Sequence, residues 1–153
     1  MDFDHSPRVE QLRQRVREFI DDRVLPLAAD WRGERAAATP HPPYGEDRTA
    51  LARPGGLGPL FLPPRRDDGG GPRLANVEYA PLAEIMGRVM WSSEVFNCNA
   101  PDTGNMEILH LFATPAQRGQ WLVPLLEGRI RSCFAMTEPD VASSDATNIQ
   151  TRI

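Results

Sequence analysis

Thr137, Ser143, Ser144 and Thr147 carry hydroxyls around a bend marked by Pro139. Ala142 is small enough to let backbone N–H groups approach a ligand closely. Hydroxyls and clustered amides suit a phosphate or the polar edge of a heterocycle. Just upstream, Phe134 and Met136 lie on an apolar stretch that could hold an apolar ring. The plainer reading is a capped turn whose Ser and Asp side chains satisfy their own backbone. Residue types alone favour that plainer reading, because such residues occupy turns so often.

Other reactive side chains point to less. His5 and His41 sit in polar or Pro-rich surroundings, and His110 lies beside Leu109 and Leu111 on a helical pattern. A metal site needs several converging donors, and no spacing here supplies them, so no metal ligand is assigned. Cys98 and Cys133, the only cysteines, match no metal or redox spacing and are read as reduced thiols. Asp21-Asp22 reads as a solvated helix face, with Arg17 one turn before Asp21 as its ion-pair partner.

The elements that must position the bend follow from periodicity. Ser6 is a candidate N-cap with Pro7 at the first helical position. Val9, Leu12, Val16, Phe19 and Ile20 then keep helical spacing as far as Pro26. Residues 39–72 are rich in Pro and Gly and cannot sustain a long helix. Within them Leu57, Leu60, Phe61 and Leu62 form an apolar knot expected to pin the segment to a core, and a short helix is expected at Ala50–Ala52. A helix is expected from Asn76, with Val77, Ala80, Ala83, Ile85 and Met86 buried and Pro81 in its first turn. Another is expected near Ser92, with Trp91, Val95 and Phe96 in the core. Asp102 reads as the N-cap of a helix whose apolar face is Met106, Leu109 and Phe112. Thr114-Pro115-Ala116-Gln117 is a capping box, Trp121, Leu122, Leu125 and Leu126 form the next face, and Gly128 is its left-handed stop. Ile130–Met136 alternates as a strand, with Ile130, Ser132, Phe134 and Met136 on one side, and Asn148–Ile153 is a second candidate strand.

The 153 residues suit one domain able to bury a real core. A net charge of −4 argues against a nucleic-acid or anionic-membrane surface. No apolar run approaches the roughly 18 residues of a spanning helix. The opening Met1-Asp2-Phe3-Asp4-His5 lacks the apolar core of a secretory signal, and its acids do not suit a mitochondrial transit peptide, so a cytoplasmic location is expected.

The block Ile130-Arg131-Ser132-Cys133-Phe134-Ala135-Met136-Thr137-Glu138-Pro139, followed by Asp140-Val141-Ala142-Ser143-Ser144-Asp145, resembles the flavin-binding signature of acyl-CoA dehydrogenases. It is most similar to a branch acting on long or unusual acyl chains, sometimes fused to a phosphotransferase-like domain. Asn97-Cys98-Asn99-Ala100-Pro101-Asp102-Thr103-Gly104-Asn105-Met106 and Gln120-Trp121-Leu122-Val123-Pro124-Leu125-Leu126-Glu127-Gly128 resemble the same branch. The resemblance covers the first helix and most of residues 76–153, and is weak across residues 39–72.

The resemblance implies a mainly α fold: the N-terminal helical-bundle domain over residues 1–129, then the first strand of the middle β domain over residues 130–153. It implies FAD as cofactor, with Phe134 and Met136 along the flavin ring, Thr137 at the ring edge, and Ser143 and Ser144 facing the pyrophosphate. Ser144 would also lie near the acyl-CoA, and Thr103, Gly104 and Asn105 near the acyl tunnel. Family members remove an α-proton with a carboxylate, pass the β-hydride to flavin, yield a trans-2-enoyl-CoA and hand electrons to an electron-transfer flavoprotein. They are usually dimers or tetramers. The family's catalytic carboxylate lies in a C-terminal helical domain, so no residue here is assigned as the base, and Glu138 is expected to be structural. The expected function is therefore an N-terminal, inactive portion of such an enzyme. The alternative is a truncated, non-catalytic helical module that buries its apolar faces on a partner.

Overall fold

Ser6 begins the first helix as its residue type demands: its Oγ accepts from the Val9 N–H at 3.3 Å, and Pro7 occupies the first helical position. The computed structural model describes residues 4–27, 57, 60–62 and 74–152. Helix α1 (Pro7–Phe19) runs into a π turn (Ile20–Val24) and closes in a 3-10 turn (Leu25–Leu27) that contains Pro26. Of the stripe the spacing predicts, Val9, Val16 and Ile20 are buried and Leu12 and Phe19 half-buried, and Val24 is buried one turn beyond it. Asp21 pairs with Arg88 at 3.1 Å instead of the expected Arg17, because the following helix lies alongside.

That helix, α2 (Asn76–Met86), is started from its far side. Ala75 has no side-chain acceptor, but its own N–H donates to Glu78 Oε2 at 2.8 Å. The buried face is Pro81, Leu82, Ile85 and Met86, whereas Val77 is 62% exposed and Ala80 and Ala83 are exposed. Small alanines lose little by facing water, while Leu82 and Pro81 gain by burial. Pro81 stands in the second turn, not the first, packed inward where its missing N–H is offset by apolar contact.

Helix α3 (Ser92–Val95) is one turn long. The Ser92 hydroxyl donates to the Met86 carbonyl, joining it to the end of α2. Trp91, Val95 and Phe96 are buried, and Phe96 meets Phe19 edge-on with ring centroids 5.5 Å apart. These residues, with Val16, Ile20, Val24, Leu82, Ile85 and Met86, make the larger core, and Leu57 and Leu60 are buried in it as the apolar knot predicts. The expected helix at Ala50–Ala52 lies outside the described residues.

Helix α4 (Asp102–Phe112) buries Asp102, Met106 and His110, one side of the helix read every fourth residue. Phe112, expected inside, is 79% exposed. The capping box at Thr114 forms: Gln117 N–H donates to Thr114 Oγ1 at 3.3 Å, and Thr114 N–H donates to Gln117 Oε1 at 2.9 Å. It opens α5 (Pro115–Gln117), which passes through a π turn (Arg118–Leu122) into α6 (Val123–Leu126). A smaller core of Met106, Leu122 and Leu125 lies between α4 and this rod, with Phe61, Leu62, Leu109, Leu126 and Ile130 against it.

Residues 131–138 are not helical, and no strand ladder forms among the described residues. A strand is defined by a paired neighbour, whereas here side chains meet the backbone at Ser132 N–H, Cys133 O and Glu138 N–H. The second candidate strand is likewise absent: Ala146–Asn148 is a 3-10 turn, and residues 149–152 carry no regular structure. The described residues are therefore helical in architecture, with residues 131–138 leaving the last helix as an irregular segment.

Candidate functional site

Everything that positions residues 134–144 begins at the end of α6. Gly128 takes φ 66°, the left-handed region where a Cβ is costly. Its N–H donates to Leu125 O at 3.0 Å and Arg129 N–H donates to Pro124 O at 2.9 Å, the paired bonds of a Schellman stop. Buried Asn97 finishes the cap from another element. Its Nδ2 donates to Leu125 O at 2.9 Å and Leu126 O at 3.1 Å, and its own backbone has φ 49°. Sequence reasoning missed this role; the signal was an Asn directly after a short helix, since Asn is among the few residues that tolerate that conformation.

Past Gly128 the chain is gripped from two helices. Asp102 was expected to cap α4, but it stands inside the helix and its carboxylate turns to the departing segment. Asp102 Oδ1 accepts from Ser132 N–H at 2.8 Å and from Ser132 Oγ at 2.5 Å, and Oδ2 accepts from Arg131 Nη1 at 3.1 Å. Arg131 Nη2 reaches Glu94 Oε2 on α3 at 2.6 Å. Asn105 Nδ2 donates to Ser132 Oγ at 2.8 Å and Cys133 O at 3.3 Å. Partial burial alone would lower the Arg131 pKa, but its bonds to Asp102 and Glu94 outweigh that and raise it.

The segment then presents its apolar side chains outward. Phe134 is 64% exposed and Met136 48% exposed. Thr137 and Ser144 are also exposed, whereas Ser143 is buried. The Ser143 hydroxyl accepts from Glu138 N–H at 2.8 Å and donates to Val141 O at 3.3 Å, so it closes its own turn. Glu138 draws the following residues back, accepting from Gln150 N–H at 3.0 Å, Thr151 N–H at 2.8 Å and the Thr151 hydroxyl. Those bonds, the Thr151 hydroxyl first, hold its pKa below the usual carboxylate value. Asp145 caps the 3-10 turn by accepting from Thr147 N–H at 3.0 Å and Thr147 Oγ1 at 2.6 Å, which lowers its pKa too. The bend is thus a capped turn, and Thr137 and Ser144 remain exposed on it, as Phe134 and Met136 do just upstream.

Beside the grip lies an apolar groove of about 530 Å³, lined by Ile108, Leu109, Trp121, Leu125 and Ile130, with Asn105, Arg131, Ser132 and Cys133 along its polar edge. Of the three residues expected near an acyl tunnel, Asn105 faces this groove, while Thr103 and Gly104 do not line it. A Cβ built at Gly104 would meet nothing within 4 Å. Among the described residues no group of His, Cys, Asp and Glu is arranged to hold a metal ion, and no helix is long and apolar enough to cross a membrane.

The family described as "Acyl-CoA dehydrogenase, N-terminal domain" matches residues 6–129. This chain belongs to the acyl-CoA dehydrogenase family. It is 52% identical over 155 residues to Acyl-CoA dehydrogenase family member 10 of Mus musculus, covering 97% of this chain and 14% of that protein. It is 54% identical over 157 residues to Acyl-CoA dehydrogenase family member 11 of Homo sapiens, covering 99% of this chain and 19% of that one. Among solved structures, a protein from Mycobacterium abscessus assigned as an acyl-CoA dehydrogenase superposes with a TM-score of 0.75 at 50% identity, over 94% of this chain and 37% of its own. The chain therefore spans well under half of each of these relatives. The matches run past the helices into the terminal segment, so residues 130 onward are part of the acyl-CoA dehydrogenase likeness.

Proposed function

We propose that this chain is the N-terminal part of an FAD-dependent acyl-CoA dehydrogenase, converting a fatty acyl-CoA to its trans-2-enoyl-CoA in β-oxidation. FAD, when bound, accepts the hydride from the β-carbon. The observation that carries the reading is the exposure along residues 134–144: two large apolar side chains, Phe134 and Met136, and the Thr137 and Ser144 hydroxyls all face water on a segment anchored to two helices. Such a surface fits a flavin, whose ring is apolar on its faces and polar at its edges.

In this reading Phe134 and Met136 lie along the ring and exclude water from it. Thr137 hydrogen-bonds the ring edge. Ser144 donates to the pyrophosphate and touches the acyl-CoA. Ser143 serves the pyrophosphate site by fixing the turn that presents Ser144. Thr103, Gly104 and Asn105 lie at the acyl side. None of the residues described takes the α-proton, and the helical unit over 1–129 and the start of a β domain over 130–153 act as platform and first cofactor contact. A homo-oligomer and an electron-transfer flavoprotein complete the proposed setting.

The test is retention of flavin. The purified chain is mixed with FAD and desalted, and the flavin absorption band is followed. A band that elutes with the protein and weakens in Phe134→Ala and Thr137→Ala is the expected outcome. Flavin that elutes wholly free from the parent chain would overturn the assignment of residues 134–144 as a sufficient cofactor surface.

A further inference from the structure

The grip on residues 131–133 is built more heavily than a turn of chain requires. The Asp102 side chain is only 4% exposed and that of Glu94 13%, and both are carboxylates facing the same guanidinium of Arg131. Burying a carboxylate costs stability unless it is fully hydrogen-bonded. Asp102 meets that demand through Ser132 and Arg131, using donors from the backbone N–H, the hydroxyl and the guanidinium. A neutral amide offers one acceptor oxygen and could not take all of these. Asn105, three residues along the same helix, adds a second hold on Ser132.

The grip falls on the main chain itself, at Ser132 N–H and Cys133 O. In an extended segment side chains alternate, so a slip of one residue would turn Phe134 and Met136 to the opposite face. Among the described residues no strand pairs with this segment, and these bonds hold its register. The geometry points to Asp102 as a positioning residue for the cofactor surface: its carboxylate, acting through Ser132 and Arg131, sets the register in which Phe134, Met136 and Thr137 are presented. This rests on the flavin reading for its consequence, but the mechanical part stands without it.

Two readouts on Asp102→Asn separate the two. Hydrogen exchange across residues 130–137 reports the grip with no ligand present. We expect it to quicken about tenfold, the equivalent of one lost charge-assisted hydrogen bond, while exchange in α1 and α2 keeps the parent's rates. FAD titration then reports the consequence, with an expected loss of affinity of about tenfold. Unchanged exchange over 130–137 would overturn the inference. So would faster exchange with FAD affinity equal to the parent's, because the register would then not matter to the cofactor. If the parent itself binds no FAD, the flavin reading fails, while the exchange result still decides whether Asp102 sets the register. Should Asp102→Asn fail to fold, Arg131→Gln serves in its place: the Arg131 side chain is 41% exposed and its loss leaves both Ser132 bonds intact. It removes the bonds to Asp102 and Glu94 and should quicken exchange over 130–137, and parent-like exchange in it would count against the inference.

Discussion

Substituting Asn97 probes how one buried side chain holds α6 and the segment it launches. Asn97→Ala removes two donors, to Leu125 O and Leu126 O. Each neutral bond contributes about 1 kcal/mol. Leu125 O keeps the Gly128 N–H at 3.0 Å, so the larger loss falls on Leu126 O. Alanine must also take φ 49°, which costs a further 1–2 kcal/mol or so that Asn largely avoids. The expected destabilisation is therefore about 3 kcal/mol, or roughly 6–12 °C in Tm for a chain of this size. Asn97→Gly loses the same bonds without the left-handed strain, but gives up roughly 0.5–1 kcal/mol of backbone entropy. It should fall between the parent and Asn97→Ala. Urea unfolding followed by circular dichroism measures all three proteins, provided the slopes agree. If Asn97→Ala is more stable than Asn97→Gly, the strain argument is wrong. If both match the parent, the two hydrogen bonds contribute nothing and the account of how α6 is stopped fails.

Further outcomes follow from single sites. The folded pKa of Glu138 lies below its unfolded value, so its contribution is complete above the unfolded carboxylate range and is lost as pH falls through the folded value. Amide exchange at Gln150 and Thr151 should therefore quicken in Glu138→Gln at neutral pH, and parent and variant should converge in acid; a constant gap across pH would refute it. Gly104→Ala should leave the fold intact or stabilise it by a few tenths to about 1 kcal/mol, since helix propensity improves and the new Cβ meets open space; a loss of more than about 1 kcal/mol in thermal unfolding would show an unrecognised close approach. Burial raises the Cys98 pKa, and the opposing hydrogen bond from Tyr79 is weaker, whereas Cys133 is exposed. A thiol reagent near neutral pH should therefore modify Cys133 first, and Cys133→Ser should abolish the fast phase; equal rates at both thiols would contradict this packing.

Elements whose signals are local can be read from the chain. Ser6-Pro7, the Thr114 box and Gly128 act through bonds spanning a few residues, so their chemistry can be read without knowing what lies nearby. The stripe along α1 and the apolar knot at Leu57 and Leu60 were legible for a similar reason, because burial follows from periodicity and hydrophobicity. The terminal signature was legible as a resemblance, with residue types that suit a flavin. What the tertiary structure alone decided was which neighbours the polar groups find. Asp102 looked like a cap, yet it holds Ser132 and Arg131, some thirty residues on. The Ser143 hydroxyl accepts from Glu138 N–H, and Asp21 finds Arg88 just past the end of α2. Ile130–Met136 alternates like a strand, but alternation fixes only which side chains share a face. Pairing requires a second chain segment at hydrogen-bonding distance, and the described residues place none beside it. A buried carboxylate must find donors wherever the fold brings them, and that is a property of three-dimensional proximity, which spacing along the chain does not encode.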